Sequence, residues 1–233
     1  MPGKSALVIG GSRGIGRAIV TAMADDWRVA YTYANAADET SSAPAFRADV
    51  RDAGSIAAAF DAAEARFGGP LDCAVISAGI NVPAAPMASF PPDDMRALVE
   101  INLIGAFNAL AEAARRVADG GAIIALTTSL VRHPVAGTGP YTATKAAVEA
   151  LLRAMQRELA PRGIRVNGVA PGPVDTDLFR GGKDEAAIRR SAAMSPFNRI
   201  GTAPEVAAMV RFVASDEASW VAGQILQPNG GLV

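Results

Sequence analysis

A tyrosine and a lysine four residues apart, in Tyr141-Thr142-Ala143-Thr144-Lys145, are the pair in this chain best suited to moving a proton. On a helix that spacing puts both side chains on one face. A free phenol ionises near pH 10 and is a poor acid–base group at neutral pH. A neighbouring ammonium favours the phenolate and brings the pKa toward the working range. A second stretch can hold an anion. Ala6 to Ile9 is a short apolar run, and Gly10, Gly14 and Gly16 follow it. Ile15, Ala18, Ile19 and Ala22 then recur at helical spacing. Such a strand, glycine turn and helix lets the backbone approach a pyrophosphate closely, and the free N–H groups of the helix start can bind it. The spacing is G-x-x-x-G-x-G, not the common G-x-G-x-x-G. An isolated Y-x-x-x-K is usually a surface tyrosine beside a solvated lysine, and glycine turns also occur for steric reasons. The two features together are far more specific than either alone.

The elements that must position these residues alternate along the chain. Strands are expected at 6–9, 27–33, 46–50, 71–77, 122–126, 164–170 and 224–227. Helices are expected after the glycine turn, from Asp52 as a cap to about Phe67, at 93–118, 139–159 and 204–214. Residues 34–45 are small and polar, with at most a turn of helix. This order predicts an α/β fold: a Rossmann-type doubly wound parallel sheet of about seven strands, with helices on both faces. Ligands of such sheets bind at the carboxyl ends of the strands, so the glycine turn, Asp49, 77–81, 127–129 and 171–176 should share one edge. Residues 1–233 read as a single domain, with 175–200 as a mobile substrate lid.

Composition excludes several classes. Half of the 233 residues are apolar, 19% are charged and the net charge is −1, without a basic block. Neither nucleic acid nor an anionic membrane is indicated. No apolar run is read as long enough to span a bilayer, and no signal peptide precedes the first strand. The single cysteine, Cys73, forbids an internal disulfide, and the single histidine, His133, forbids a histidine cluster. No metal site is expected, and a cytoplasmic location is.

With these residues in place, the chain resembles the short-chain dehydrogenase/reductase family along nearly its whole length. The resemblance rests on Gly10-Gly11-Ser12-Arg13-Gly14-Ile15-Gly16, Asp49-Val50, Ala78-Gly79, Asn102, Tyr141…Lys145, Arg165-Val166-Asn167, Pro171-Gly172 and Gly223-Gln224…Gly230-Gly231. It is similar to the 3-oxoacyl-carrier-protein reductases of that family. The resemblance implies an NAD(P)-dependent oxidoreductase, usually tetrameric. Tyr141 would give a proton to a substrate carbonyl oxygen or take one from the alcohol. Lys145 would hold the nicotinamide ribose hydroxyls and lower the Tyr141 pKa. Asn102 would hold a water connecting Lys145 to solvent. Asp49 would contact the adenine and Val50 line its pocket, while Val174 and Thr176 would contact the carboxamide. The cofactor surface would further include Gly10, Ser12, Arg13, Gly14, Ile15, Gly16, Asn35, Ser77, Ala78, Gly79, Pro171 and Gly172. The family serine that orients the substrate aligns with Thr128, and Ser129 requires a one-residue slip. Thr128 is favoured.

The chain also departs from the family pattern. Ile9 stands where the family has a threonine that braces the glycine loop, and Ser77 stands where an amide is usual. The second strand ends Tyr31-Thr32-Tyr33-Ala34-Asn35 with no carboxylate before Asp38, and Arg13 sits inside the glycine loop. An NAD site places an acid at that strand end, whereas an arginine suits a 2′-phosphate. NADP(H) is therefore favoured over NAD(H). The expected substrate is a small carbonyl or alcohol, with an acyl-carrier-protein or CoA thioester as the competing choice. Arg132, Arg180, Lys183, Arg189, Arg190 and Arg199 are the candidate basic patch for a carrier protein. A non-catalytic NADPH-binding or sensing protein is the alternative. Asp93-Asp94 read as a helix cap.

Overall fold

The computed structural model describes residues 3–233; Met1 and Pro2 of the expected lead-in lie outside them. Seven parallel strands form one sheet. They are β1 (Ser5–Ile9), β2 (Arg28–Tyr33), β3 (Ala45–Arg47), β4 (Cys73–Ile76), β5 (Ala122–Leu126), β6 (Arg165–Val169) and an edge strand at Ile225–Leu226. The order is β3-β2-β1-β4-β5-β6-edge, so the direction of winding reverses beside β1. Because all strands run the same way, their carboxyl ends share one edge.

The side chains of β1 show why both faces are covered. Ala6 and Val8 pack on one side with Ile19, Val20 and Met23 of α1 (Gly14–Met23) and with Val206, Val210 and Val213 of a helix at Ala203–Ala214. Leu7 and Ile9 pack on the other with Ile56 and Phe60 of α2 (Ala53–Phe67) and with Leu110, Val148 and Leu152 of later helices. Each large apolar side chain buried this way contributes ~1.5–3 kcal/mol. Asp52 caps α2 by accepting from Gly54 N at 2.8 Å, and Gly68 ends it at φ +82°. The β2–β3 connection contains no helix, and Tyr31 Oη pins it by accepting from Asp38 N at 3.0 Å.

Four expectations change. The long helix expected at 93–118 is α3 (Pro92–Leu98), a π-helical turn over Val99–Ile104, and α4 (Gly105–Arg116). Together they span Pro92–Arg116, 25 residues long and apolar enough to cross a bilayer. The reading that no such segment exists is thereby corrected. Leu98, Ala106, Ala109, Leu110 and Ala113 are nevertheless buried within this protein, which is the packing of a core helix. Asp93 and Asp94 do not cap α3: Pro91 holds the cap position, and both acids sit in the first turn, where they complement the helix dipole. Finally, β3 ends at Arg47, which leaves Asp49 in the following turn.

α5 (Gly139–Leu159) matches the expected helix end to end. After β6 come a two-residue strand β7 (Val174–Asp175), α6 (Asp177–Arg180), α7 (Glu185–Ala193) and β8 (Gly201–Thr202), which pairs with β7. Ala203–Ala214 is α8 and Ile225–Leu226 is β9. Thr202 and Glu205 form a reciprocal cap at the start of α8.

Candidate active site

The predicted site residues converge at the carboxyl edge of the sheet, and the glycine turn is its base. Gly10 has φ +83°, and a Cβ there would lie 2.7 Å from the Ala78 backbone. A side chain on Gly16 would collide with the Gly10 carbonyl. The turn can therefore be made only with glycine at these two places. Gly14 faces the Thr176 side chain, so the turn meets both the 77–79 segment and the loop after β6.

The missing brace at Ile9 is replaced from the neighbouring strand. Thr32 Oγ1 accepts from Gly10 N at 3.0 Å, and Thr32 O accepts from Gly11 N at 2.9 Å. Arg13 stands at the start of α1 without capping it by its side chain, and the first turn holds no acid. Such a helix start suits the negative charge of a pyrophosphate.

α5 carries the reacting pair. Lys145 is buried, and its Nζ donates to Leu126 O at the end of β5 at 2.9 Å. A Cβ on Gly79 would lie 3.4 Å from Nζ and 3.2 Å from Asn102 Oδ1. Glycine thus keeps a space open beside both polar groups. Asn102 lies in the π-helical turn. Its amide is locked on Ile80, accepting from Ile80 N at 2.8 Å and donating to Ile80 O at 2.9 Å. An ammonium has three donors. Among the described residues Lys145 uses one, so a buried cation with spare donors faces this space, as vicinal hydroxyls of a bound ribose require. Burial pulls Lys145 down to about 8 and pushes Tyr141 up to about 12. The expected lowering of Tyr141 by Lys145 is not found: burial of the phenol governs and raises it.

Thr128 and Ser129 differ in what their hydroxyls have left to give. Ser129 Oγ donates to Ala170 O at 2.8 Å and is buried. Thr128 Oγ1 accepts from Leu130 N at 3.3 Å, and its proton has no acceptor among the described residues. Glu149, four residues beyond Lys145 on α5, is 1% exposed and escaped the sequence reading. It accepts from Thr127 Oγ1 at 3.2 Å and from Arg132 at 3.1 Å, which fixes the backbone on both sides of Thr128. The recurrence Tyr141, Lys145, Glu149 was the available signal.

Asp49, Val50, Asn35 and Asp38 lie toward the β2–β3 side, and Val174 and Thr176 lie beyond β6. Asp49 accepts from Arg51, whose guanidinium holds the carboxyl below its usual range. Asn108 of α4 donates to Val50 O at 2.9 Å and fixes that wall. Asn35 and Arg13 are exposed. Asp38, the first acid after β2, is tied to Thr40 Oγ1 at 2.7 Å and Thr40 N at 3.0 Å. Val174 and Thr176 follow Pro171-Gly172, with Thr176 capping α6.

A glycine turn opening a doubly wound sheet, beside a buried lysine one helical turn from a tyrosine, defines a dinucleotide-dependent oxidoreductase site. The family described as Enoyl-(Acyl carrier protein) reductase matches residues 9–233. A short-chain type dehydrogenase/reductase of Picea abies is 40% identical, over 99% of this chain and 93% of its own. An Arabidopsis thaliana protein named NADPH-dependent aldehyde reductase-like protein, chloroplastic, is 38% identical over 100% and 95%. The solved structure of a Burkholderia cenocepacia short chain dehydrogenase in complex with NADP is 36% identical. It covers 99% of this chain and 98% of that one, with a TM-score of 0.88. The chain belongs to the short-chain dehydrogenase/reductase family, oxidoreductases acting on CH–OH groups.

Proposed function

We propose that the protein is an NADPH-dependent reductase of small ketones or aldehydes, working reversibly. The buried Lys145 ammonium with donors to spare, on one helix face with Tyr141, carries this reading. Bound NADPH supplies the hydride. Lys145 binds the nicotinamide ribose, and Asn102 keeps the path from Lys145 to solvent for proton resupply. Tyr141, a neutral phenol at pH 7, gives its proton to the carbonyl oxygen as that oxygen gains charge. Thr128, with its proton unspent, orients the same oxygen; Ser129 has already spent its own on Ala170. No metal has a part in this scheme.

Two observations support NADP(H) over NAD(H). Asp38 is occupied by Thr40, so no carboxylate waits at the end of β2 for a ribose 2′-hydroxyl. Arg13 and Asn35 are exposed there and suit a 2′-phosphate. Ser12 and Ile15, within the glycine turn, would contact the pyrophosphate. Ser77, Ala78 and Gly79 would line the floor, and Asp49 and Val50 would hold the adenine.

The carrier-protein choice is weakened by the charges themselves. Arg132 pairs with Glu149, Arg180 with Asp175 and Arg199 with Glu205. Lys183 is folded over the Phe179 ring. Of the six candidate cations only Arg189 and Arg190 lack an acidic or aromatic partner among the described residues. Residues 175–200 serve as the lid over one catalytic domain. Phe107 on α4 (52% exposed) and Trp220 beyond α8 (98% exposed) put apolar surface on separate faces, in keeping with a homotetramer. The buried free Cys73 accords with the cytoplasm. Turnover of NADPH against a panel of ketones, aldehydes and 3-oxoacyl thioesters tests the reading. Small free carbonyls should be reduced, and exclusive use of thioesters would overturn it. Light scattering tests the tetramer, and a monomer would contradict it.

A further inference from the structure

The segment Gln227–Leu232 crosses behind three parts of the site at once. Asn229, which is buried, donates from Nδ2 to Ser129 Oγ at 3.3 Å. Its Oδ1 accepts from Gly231 N at 3.1 Å and Leu232 N at 3.2 Å, which folds the segment on itself. Ser129 passes the contact on, since its Oγ donates to Ala170 O and its N donates to Pro171 O at 3.0 Å. Gly172 N donates to Pro228 O at 3.3 Å, and a Cβ on Gly172 would lie 3.0 Å from Asn229 Cα. The third contact reaches the end of the lid segment. Ser195 Oγ donates to Gly230 O at 2.7 Å and accepts from Phe197 N at 3.2 Å.

We infer that Asn229 is a positioning residue that couples the lid, through Ser195 and Gly230, to the turn carrying Thr128 and to the Pro171-Gly172 loop. Ser129 is adjacent to the orienting hydroxyl and holds no free proton, so its use is to anchor that turn. Among the described residues, Asn229 is the only side chain that bridges this anchor to the segment that Ser195 holds at Gly230. A lid displaced at Ser195 pulls on Gly230, and the rigid amide of Asn229 conveys the displacement to Ser129 (no direct contact between Ser195 and Ser129 is needed). Substrate arrival under the lid and alignment of Thr128 are then one event. The inference rests on the reading of Thr128 as the orienting hydroxyl.

Asn229→Asp separates this role from simple folding of the segment. It keeps the Oδ1 acceptor for Gly231 and Leu232 but loses the donor to Ser129. Hydrogen exchange followed by mass spectrometry needs no turnover and reads the coupling directly. Both Asn229→Asp and Ser195→Ala should raise exchange in residues 129–133, where Arg132 N and His133 N bond Ser129 O. With a carbonyl substrate, each variant should lose kcat/KM by ~5–10-fold while NADPH affinity changes less than ~2-fold. Ser195→Ala combined with Asn229→Asp should fall short of the product of the two effects. Exchange confined to 193–200 in Ser195→Ala, or multiplicative losses in the double variant, would overturn the coupling. Should exchange spread to 129–133 while Thr128→Val retains full turnover, the coupling stands and the reading of Thr128 falls.

Discussion

Thr32 on β2 accepts a hydrogen bond from the amide of Gly10, 3.0 Å away, in the turn that follows the neighbouring strand β1. It supplies from across the sheet the hydroxyl brace that Ile9 cannot. Thr32 is buried, so Thr32→Val leaves the Gly10 N–H without a partner and costs ~1–3 kcal/mol. NADPH affinity should fall by ~10-fold, and Thr32→Ser should restore it. Fluorescence titration of NADPH reads both; equal affinity in Thr32→Val would show that the turn needs no brace.

Arg13 should set the choice of cofactor. Removing a charge-assisted contact to a 2′-phosphate costs ~1.5–3 kcal/mol, so Arg13→Ala should weaken NADPH by ~10–100-fold. NADH, which lacks that phosphate, should bind as before. Titration of both cofactors against the variant gives the ratio, and equal loss for the two would remove Arg13 from phosphate recognition.

Lys145 is held at a cost to stability. Its folded pKa is depressed to about 8, against an ordinary value of 10.5. Between those values the unfolded chain binds more protons, so stability rises as pH climbs from about 8 and levels off above 10.5. Lys145→Met should abolish turnover yet be more stable at pH 7, by up to ~3 kcal/mol. The gain should shrink above pH 10. Calorimetry at the two pH values checks the sign.

The two directions of the reaction should diverge with pH. With Tyr141 raised to about 12, the proposed donor keeps its proton throughout the neutral range. Alcohol oxidation needs the phenolate, whose fraction grows up to ~10-fold per pH unit below that pKa. Oxidation should therefore climb with pH relative to reduction, since loss of the Lys145 charge above about pH 8 acts on both directions alike. Initial rates in both directions from pH 6 to 10 test this; a ratio of oxidation to reduction independent of pH would contradict it.

Much of this was legible from local spacing. Tyr141 and Lys145 share a face because four residues make about one helical turn, and the limits of α5 at Gly139 and Leu159 follow from the breakers around it. The edge that gathers Gly10, Gly79, Thr128 and Thr176 follows from strand order alone. What escaped was contact across the fold. Thr32 reaches Gly10 through strand pairing, and Asn229 reaches Ser129 from 100 residues away. No local period carries either. The π-helical turn around Asn102 was hidden because one extra residue per turn barely alters the apolar pattern of a long helix. Charges misled in the opposite way: Arg132, Arg180 and Arg199 look available in sequence and are each paired in space.

The proposed reaction depends on Tyr141 as proton donor, and Tyr141→Phe removes that donor alone. The variant keeps the ring and removes only the hydroxyl. Measured side by side, NADPH binding should stay within ~3-fold of the parent chain, while the rate of carbonyl reduction should fall by at least ~100-fold. Turnover retained in Tyr141→Phe, with NADPH bound, would contradict the account.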